Sequence, residues 1–364
     1  MSSLICDISV VEEIMVHPNA ERLELARVKD WVVVTGKGRF QVGEPCVYIP
    51  IDSVLPPELE AKLFPPDSKI KLDKSRVRTI KIRSHVSQGM ICKLDDVLPP
   101  GTTFHIGMDV TALLGITKYE PPEESIPPEF GNQKCQTKKK LCNPLFHKYT
   151  DIENAKNFPT MFIDGEEVNV TEKLHGTSFR CGYFPTNANT VWKKIKRLFG
   201  FLPAYEFCYG SRNVQLQDRP SFKGYYSNNV YAKVVEQYDL KKILAFGQAL
   251  YGEIVGDGIQ KGYTYGCKHG EHKLFAYDVS INGEYIEPSK FRIFCEVKEI
   301  PTVPHLYTGP FDKEKMVEMT TGSSVVDKSQ KVREGVVVKS TTKRKLLKYI
   351  SDAYLLKADN TDFH

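Results

Sequence analysis

The chain has 364 residues, enough for two average domains, and its 41% hydrophobic and 26% charged residues are typical of packed globular cores. The formal net charge of +5 is compatible with a polyanionic partner but does not require one. No stretch reaches the roughly 18 consecutive apolar residues of a membrane span, and the N-terminus shows no signal peptide. We therefore expect an intracellular protein with no membrane partner. The nine cysteines are odd in number and irregularly spaced, which favours reduced thiols.

The first part of the chain, residues 4–115, is rich in short strand-like runs separated by turn sequences. The runs are Leu25–Val28, Trp31–Val34, Cys46–Ile49 and Gln88–Ile91. So many short strands in about 110 residues favour a small closed barrel such as an OB-fold, with a β-sandwich as the alternative. We assign residues 1–116 to this all-β domain.

Residues 117–143 differ in composition from their surroundings. They are rich in proline and glutamate, contain few apolar residues and include the basic triplet Lys138–Lys140. We interpret this segment as a linker or surface loop. The triplet fits a solvated surface better than a phosphate contact, which stays open as the alternative.

The remaining residues, 144–364, mix strand and helix patterns and predict an α+β domain. Apolar residues at helical spacing predict a helix within Tyr231–Ala249, whereas Lys273–Val279 and Gly335–Lys339 have strand composition.

One lysine in this domain has the setting of a covalent nucleophile. Lys173 follows an apolar alternation and lies in the run Glu172-Lys173-Leu174-His175-Gly176-Thr177, so we place it at a strand end. A lysine amine attacks only when it is neutral, and burial or neighbouring cations lower its pKa from about 10.4. We interpret Gly176 as a compact turn that lets a ligand approach the backbone. A K-x-x-G tetrapeptide alone is unspecific, so the residues that follow decide the interpretation.

Downstream of Lys173, further charged and aromatic runs occur in a fixed order. They are Gly210-Ser211-Arg212-Asn213, Leu250 to Gly256 around Glu253, Tyr277-Asp278, Arg333 to Lys339 around Glu334, and Leu347 to Lys357 around Lys348. In this order the runs resemble the motifs of covalent nucleotidyltransferases, which include ligases and mRNA capping enzymes. Glu172–Phe179 is similar to the nucleophile motif of RNA ligase 2 and the RNA-editing ligases, and Lys148–Asn154 resembles their opening segment.

The β-rich N-terminal region resembles the OB module of the RNA ligase 5 group. The run His17–Glu24 looks like the opening of tRNA-binding OB modules but is too short to imply a tRNA partner. Together these resemblances imply an N-terminal OB-fold β-barrel followed by an adenylyltransferase domain of ATP-grasp-like type, residues 144–364.

The resemblance also implies a three-step reaction. Lys173 attacks the α-phosphate of ATP and is adenylylated, AMP passes to an RNA 5′-phosphate, and an RNA 3′-hydroxyl displaces AMP. Mg²⁺ or Mn²⁺ assists, since such cations need only one or two carboxylates besides phosphate oxygens.

The site residues implied by this resemblance fall into three groups. The expected catalytic residues are Lys173, Lys348 and Arg212, and the metal ligands are Glu334 and Glu253. We expect Tyr277 to stack on adenine, with Phe275 as the alternative. The remaining nucleotide contacts are Glu172, His175, Gly176, Lys339 and Lys148.

The sequence departs from the family pattern at a few positions. Ile350 stands where family members often have a second lysine, so Lys357 or Lys339 is expected to supply that charge. His175 replaces the aspartate of many ligases, as it does in the RNA ligase 2 group, which favours RNA over DNA. Ser178 stands where that group typically has asparagine.

Two further features have no family counterpart. Residues 191–202 have apolar residues at helical spacing opposite Lys193, Lys194, Lys196 and Arg197. We expect this stripe to pack on the domain, with RNA or a membrane surface as alternatives. Cys267, His269 and His272 lie close in sequence, but no fourth metal ligand is evident.

The function predicted is a monomeric, ATP-dependent RNA ligase acting on 3′-hydroxyl and 5′-phosphate ends at nicks in a duplex. The alternatives are a GTP-dependent capping guanylyltransferase, which usually carries its OB domain after the catalytic domain, and a catalytically silent RNA-binding protein.

Overall fold

The computed structural model describes residues 4–65, 71–119, 143–186, 191–216 and 230–361, apart from the side chains at positions 191, 193, 194 and 358–361. The chain forms two compact units. The first comprises residues 1–122, 151–164 and 347–364, and the second comprises 123–150 and 165–346. Most of the predicted linker, with its basic triplet, lies outside the described residues, so the predicted domain boundaries stay a prediction. No helix in the described ranges is long and apolar enough to cross a membrane.

The first unit is built mainly from short antiparallel strands. Its strands are β1 (Asp7–Val10), β2 (Glu13–Val16), β3 (Leu23–Val28), β4 (Trp31–Gly36), β5 (Pro45–Ile49), β6 (Ser53–Val54), β7 (Thr79–Ile82), β8 (His85–Gln88), β9 (Met90–Cys92), β10 (Thr117–Lys118) and β11 (Glu153–Asn154), and its first two helices are α1 (Pro57–Leu63) and α2 (Leu94–Val97). The sheets have the strand orders β1-β5-β9 and β2-β3-β4, with two-stranded pairs β7-β8 and β10-β6.

Strand β5 separates two apolar clusters because its side chains alternate between its two faces. Val47 and Ile49 pack into one cluster with α1, α2 and residues 110–116, whereas Cys46 and Tyr48 pack into the other with Trp31. The OB-fold is confirmed for this region, whereas the all-β prediction missed the two short helices α1 and α2.

The predicted strand Gln88–Ile91 is interrupted at Gly89. Gly89 has a φ of +85°, and a Cβ there would lie 2.8 Å from the Tyr48 ring and the Ile49 carbonyl oxygen. Only glycine fits this close approach, so the chain forms β8 and β9 rather than one strand.

The second unit contains two sheets and several helices. Its elements are β12 (Glu167–Lys173), β13 (Thr177–Pro185), α3 (Val191–Leu198), β14 (Tyr205–Gly210), β15 (Gln215–Leu216), α4 (Val230–Gln237), α5 (Leu240–Ile243), β16 (Gln248–Gly256), β17 (His272–Ile281), β18 (Glu284–Tyr285), α6 (Pro288–Val297), β19 (His305–Pro310), α7 (Lys313–Glu318) and β20 (Gly335–Ser340). Strand β12 pairs antiparallel with β19 and β20. The six-stranded sheet has the order β15-β14-β13-β16-β17-β18.

Helices α4, α5 and α6 cover one face of the six-stranded sheet. Apolar residues of these helices pack with every second residue of β13, β16 and β17, for example Phe179, Ile254 and Leu274. Because side chains alternate along a strand, Ser178, Glu253 and Phe275 lie on the opposite face. This opposite face carries several predicted site residues.

The predicted helix within Tyr231–Ala249 is only partly right. The chain leaves α4 at Gln237, Asp239 adopts a left-handed φ of 50°, and α5 is a separate short turn. Phe246 is exposed, and β16 begins at Gln248, so the apolar residues after Leu244 belong to a turn and a strand. The predicted strands Lys273–Val279 and Gly335–Lys339 lie within β17 and β20.

The last elements of the chain are β21 (Leu346–Ile350) and α8 (Asp352–Thr361). Strand β21 pairs in parallel with β11. In the first unit, Gln88 Nε2 donates to Asp352 Oδ1 at 3.1 Å, and Lys156 Nζ bridges Gln88 and Asp352. The indole of Trp31 donates to Asn157 Oδ1 at 2.9 Å. These contacts hold residues 151–164 and the C-terminal segment against the barrel.

Candidate active site

Lys173 is the last residue of β12 and pairs with Gly335, the first residue of β20. This register puts Glu334, one residue before Gly335, beside the lysine. The Lys173 Nζ donates to Glu334 Oε1 at 2.6 Å. Glu334 is buried, and its Oε2 has no hydrogen-bond partner among the described residues.

The lysine amine is charged in this arrangement. Burial lowers the pKa of Lys173, but the negative charges of Glu334 and Glu253 raise it by more, so the pKa lies above its usual value. The sequence led us to expect an amine kept neutral by burial and a nearby cation. That expectation is wrong for this arrangement, because Glu334 forms an ion pair with Lys173.

Glu253 lies on β16 with its carboxylate close to the same pair. Its Oε1 accepts from the Gly176 N–H at 3.2 Å. Burial raises the pKa of Glu253 to about 7, with Lys173 acting against the shift and Glu334 adding to it. Two carboxylates thus share a poorly solvated space around Lys173.

Gly176 is required here for space. A Cβ at this position would lie 2.2 Å from the Ile254 carbonyl oxygen and 2.9 Å from Glu253 Cγ. A side chain would therefore push β16, and Glu253 with it, away from Lys173. The Gly176 carbonyl accepts from Gln260 Nε2 at 3.0 Å, which fixes the turn from the other side.

His175 is held by two tyrosines that the sequence did not single out. Its backbone N–H donates to the Tyr265 hydroxyl at 2.7 Å, and its ring packs edge-on against Tyr263 with centroids 5.0 Å apart. The ring Nδ1 lies 3.8 Å from Glu334 Oε2. His175 thus joins the lysine and the two carboxylates.

Tyr277 occupies an irregular position in β17. The register with β16 shifts there: Tyr251 pairs with Asp278 and Gly252 with Ala276, so Tyr277 is the extra residue of a β-bulge. A hydrogen bond with Ser178 and an edge-on contact with Tyr149, centroids 4.8 Å apart, fix its ring. Ser178, given no clear role by sequence, therefore supports Tyr277.

Below this bulge lies a buried charged cluster around Asp278. The Asp278 carboxylate accepts from the Tyr149 hydroxyl at 2.8 Å and from Arg344 Nη1 at 2.6 Å. Lys339 Nζ donates to the Tyr277 carbonyl at 2.7 Å and to Asp278 at 3.3 Å, and burial lowers the Lys339 pKa. Lys339 therefore supports the bulge.

The other predicted residues differ in how closely they approach this centre. Burial raises the pKa of Glu253 and of Tyr277, and the positive charge of Arg212 acts against both shifts, so Arg212 lies near both groups. Phe275 pairs with Glu253 in the sheet. Glu172 points away from Lys173, and its Oε2 accepts from the Val325 N–H at 2.8 Å. Lys148 is exposed and adjoins the buried Tyr149.

Lys348 lies on β21, where it pairs with Asn154 in the first unit. Its proposed contact with phosphate stays a prediction.

Glu253 and Glu334 fit a hard divalent cation. They offer carboxylate oxygens, one of them buried without a hydrogen-bond partner, and such cations complete their coordination with phosphate oxygens and water. In the described part of the chain, no three His, Cys, Asp or Glu side chains cluster as a metal site. The hypothesis that Cys267, His269 and His272 form a metal site is therefore wrong. The His269 Nδ1 instead lies 2.8 Å from Asp257 Oδ2.

Comparison with known proteins identifies the class. A family model described as RNA ligase matches residues 166–350, about half of the chain, and an OB-fold domain model matches residues 5–94. The chain belongs to the RNA ligase family. No match was found among curated protein sequences.

Solved structures of Naegleria gruberi RNA ligase are similar over nearly the whole chain. The structure with PPi has a TM-score of 0.75 and 25% identity, covering 98% of this chain and 99% of that chain. A mutant with ATP and Mn has a TM-score of 0.75 and 26% identity, covering 98% and 100%. An apo mutant has a TM-score of 0.76 and 25% identity, covering 99% and 100%.

We expect the stability of the fold to depend on the ionisation of Glu253. Its folded-state pKa of about 7 exceeds the ordinary 4.5, so the folded state favours the protonated form. The stabilisation is complete below pH 4.5 and is lost as pH rises through 7. Glu253→Gln should therefore raise the free energy of unfolding at pH 8 by roughly 1–3 kcal/mol and change it little at pH 4.5.

Urea denaturation of the variant and of the native chain at both pH values measures this difference. Glu318→Gln, an exposed glutamate on α7, is the matched control and should have no effect at either pH. An equal effect of Glu253→Gln at both pH values would contradict the assignment.

We also expect Glu334 to hold the Lys173 amine in its charged form. In Glu334→Gln the attraction is removed and burial remains, so the pKa of Lys173 should fall by about one unit or more. Modification by an amine-acylating reagent, without nucleotide or metal and followed by peptide mass spectrometry, would show half-maximal labelling of Lys173 at lower pH. Lys196, exposed on α3, is the internal control. An unmoved Lys173 profile would rule out the ion pair as the cause.

Proposed function

We propose that Lys173 is the nucleophile of an ATP-dependent RNA ligase that joins 3′-hydroxyl and 5′-phosphate ends. The observation that carries the assignment is the Lys173–Glu334 contact at 2.6 Å, with Glu253 at the adjoining Gly176 turn. All of these residues lie within the region matched by the RNA ligase family. Structures of the Naegleria relative with ATP, AMP and Mn support the same cofactors here.

The first step forms a bond between Lys173 Nζ and the α-phosphorus and breaks the bond to the bridging oxygen, so pyrophosphate leaves. A 5′-phosphate oxygen of RNA then attacks the same phosphorus and releases the lysine amine. Finally the 3′-hydroxyl attacks the RNA 5′-phosphorus, and AMP leaves. Each step moves negative charge on phosphate, so fixed positive charge and alignment dominate catalysis.

The amine of Lys173 must lose its proton before it attacks. A bound Mg²⁺ or Mn²⁺ supplies positive charge at Glu334 and Glu253, the residues that would hold it. If Glu334 held a cation, Lys173 would lose the attraction that raises its pKa, whereas its burial would persist. The amine of Lys173 would then be a better nucleophile than it is beside a free Glu334 carboxylate. A cation from Lys348 would act in the same direction.

The nucleotide would be placed by residues on both sides of Lys173. Tyr277, with Phe275 as the alternative, stacks on adenine. Arg212 offers a planar fork to phosphate or ribose oxygens. His175 and the small Gly176 line the approach to the lysine, and Lys339 acts through the Tyr277 backbone. Lys148 and Glu172 are the weakest nucleotide contacts, because one is exposed and the other points away.

We further propose that a monomer acts on nicks in duplex RNA. A duplex holds the two ends adjacent, and the 2′-hydroxyl and helix shape distinguish RNA from DNA. An OB-fold supplies a surface suited to a nucleic-acid backbone. A capping guanylyltransferase fits less well, because the family match is to RNA ligases and the OB-fold precedes the catalytic region.

Incubation with α-labelled ATP or GTP and Mg²⁺, followed by denaturing electrophoresis, tests the nucleophile. We expect label from ATP but not from GTP, and none in Lys173→Ala, because Lys173 is the lysine of the described residues that pairs with Glu334. Lys242→Ala, an exposed lysine on α5, should label like the native chain. Label from GTP alone would favour a capping enzyme, and label retained by Lys173→Ala would reject the site.

Substrate preference is tested with three 5′-phosphorylated substrates: a nicked RNA duplex, the same strands unpaired, and a nicked DNA duplex. We expect sealing of the RNA nick to be faster than that of the unpaired strands by roughly tenfold or more, because pairing aligns the ends. Equal rates on paired and unpaired RNA would reject the duplex proposal while leaving the ligase assignment intact.

A further inference from the structure

Residues 186–204 are an insert that extends the connection between β13 and β14, and the structure describes Thr186 and positions 191–204 of it. The sheet strands end at Pro185 and resume at Tyr205, which pair with each other. Thr186 closes the base, with its N–H donating to the Ala204 carbonyl at 2.9 Å and its hydroxyl to the Pro203 carbonyl at 2.7 Å. Helix α3 lies within this extension, and Gly200, with a φ of +73°, ends the helical turn.

The apolar residues of this insert are exposed. The exposed fractions are 75% for Trp192, 39% for Ile195, 82% for Leu198, 69% for Phe199 and 80% for Phe201. The expectation that this stripe packs on the domain is therefore wrong. So many large apolar side chains in one short segment form a surface patch of the kind that marks an interaction site.

The charges of the insert lie on the other side of the helix. At 100° per residue, Trp192, Ile195 and Leu198 occupy one arc of α3, and Lys196 and Arg197 occupy the opposite arc. The sequence from 186 to 205 contains no acidic residue. The patch is thus apolar on one side and strongly basic on the other.

Three kinds of partner compete for such a surface. Nucleic acid would take the basic residues, but single-stranded bases stack on aromatic rings and gain little from Ile195 and Leu198. A second copy of this chain would bring two basic clusters together in a symmetric contact, which is repulsive. An anionic lipid surface accepts both parts, since apolar side chains enter the boundary of the acyl region while lysine and arginine meet the headgroups.

We propose that residues 191–202 dock this protein reversibly on anionic membrane surfaces. Trp192, Leu198, Phe199 and Phe201 enter the interface, and the basic side chains meet lipid phosphates. The docking that we propose is interfacial rather than membrane-spanning. It departs from the expectation of no membrane partner and does not depend on the proposed function.

The chain carries its own probe for this contact. It has two tryptophans, of which Trp31 is 2% exposed and Trp192 is 75% exposed. Vesicles of phosphatidylcholine and phosphatidylglycerol in equal amounts should shift the Trp192 emission to shorter wavelength, and brominated lipid should quench it. Pure phosphatidylcholine vesicles should have a much smaller effect. Trp192→Phe, which keeps only Trp31, is the fluorescence blank.

Flotation with the same vesicles measures the partition coefficient. Reversing Lys196 and Arg197 to glutamate should lower it by roughly 25-fold or more, because each basic residue near an anionic surface contributes about fivefold. Leu198→Glu with Phe201→Glu should lower it by about tenfold or more. Val297→Glu, 77% exposed on α6, and Lys290→Glu, on an exposed ion pair, are the controls and should leave it unchanged.

Three outcomes would overturn the proposal. The first is that brominated lipid does not quench the Trp192 emission of a protein that still melts like a folded chain. The second is quenching of Trp192 by an RNA oligonucleotide but not by brominated lipid, which would make the insert an RNA surface. The third is a spectral shift without lipid that accompanies dimerisation in sedimentation velocity. Nucleotide labelling of Lys173 is independent of these outcomes and checks that each variant is folded.

Discussion

The antiparallel pairing of β12 with β20 is the constraint on which the active centre depends. It sets Lys173 opposite Gly335 and therefore places the Glu334 carboxylate 2.6 Å from the lysine amine. A shift by one residue would turn Lys173 to the other face of the strand, where Glu172 now meets the Val325 N–H. The valines of β20 make that shift costly, because Val336 and Val338 are fully buried. Apolar packing thus fixes the position of the charged pair.

A second constraint is the bulge at Tyr277. An extra residue in β17 would leave a backbone carbonyl without its sheet partner, and the Lys339 amine supplies a donor at 2.7 Å. The buried carboxylate of Asp278 then pairs with the charges of the half-buried Lys339 and of Arg344. Such a cluster is stabilising only when all its members are paired, because a buried unpaired charge is costly. The orientation of the Tyr277 ring is therefore linked to residues more than 60 positions further along the chain.

The sequence was sufficient to predict those site residues that lie in short motifs arranged in a distinctive order along the chain. Lys173, Glu253 and Glu334 lie close together in the structure, and the positive charge of Arg212 interacts with Glu253. The OB-fold followed from short strands and turns. In contrast, Tyr149, Gln260 and Tyr265 carry no local signal, because their contacts join residues separated by 84 to 129 positions. The charge state of Lys173 was predicted wrongly for the same reason, since it depends on the distance to Glu334, which only the strand register determines.

The first unit is assembled from three separate parts of the chain. The hydrogen bond between Gln88 and Asp352, the first residue of α8, joins positions 264 residues apart. During synthesis the barrel residues leave the ribosome long before their C-terminal partners exist. The first unit therefore cannot complete its packing until the catalytic region has been translated, and part of its surface stays uncovered until then. A chain cut short near residue 346 would lose packing in the barrel, far along the sequence from the lesion, so a truncation after the catalytic region would act as a defect of the barrel.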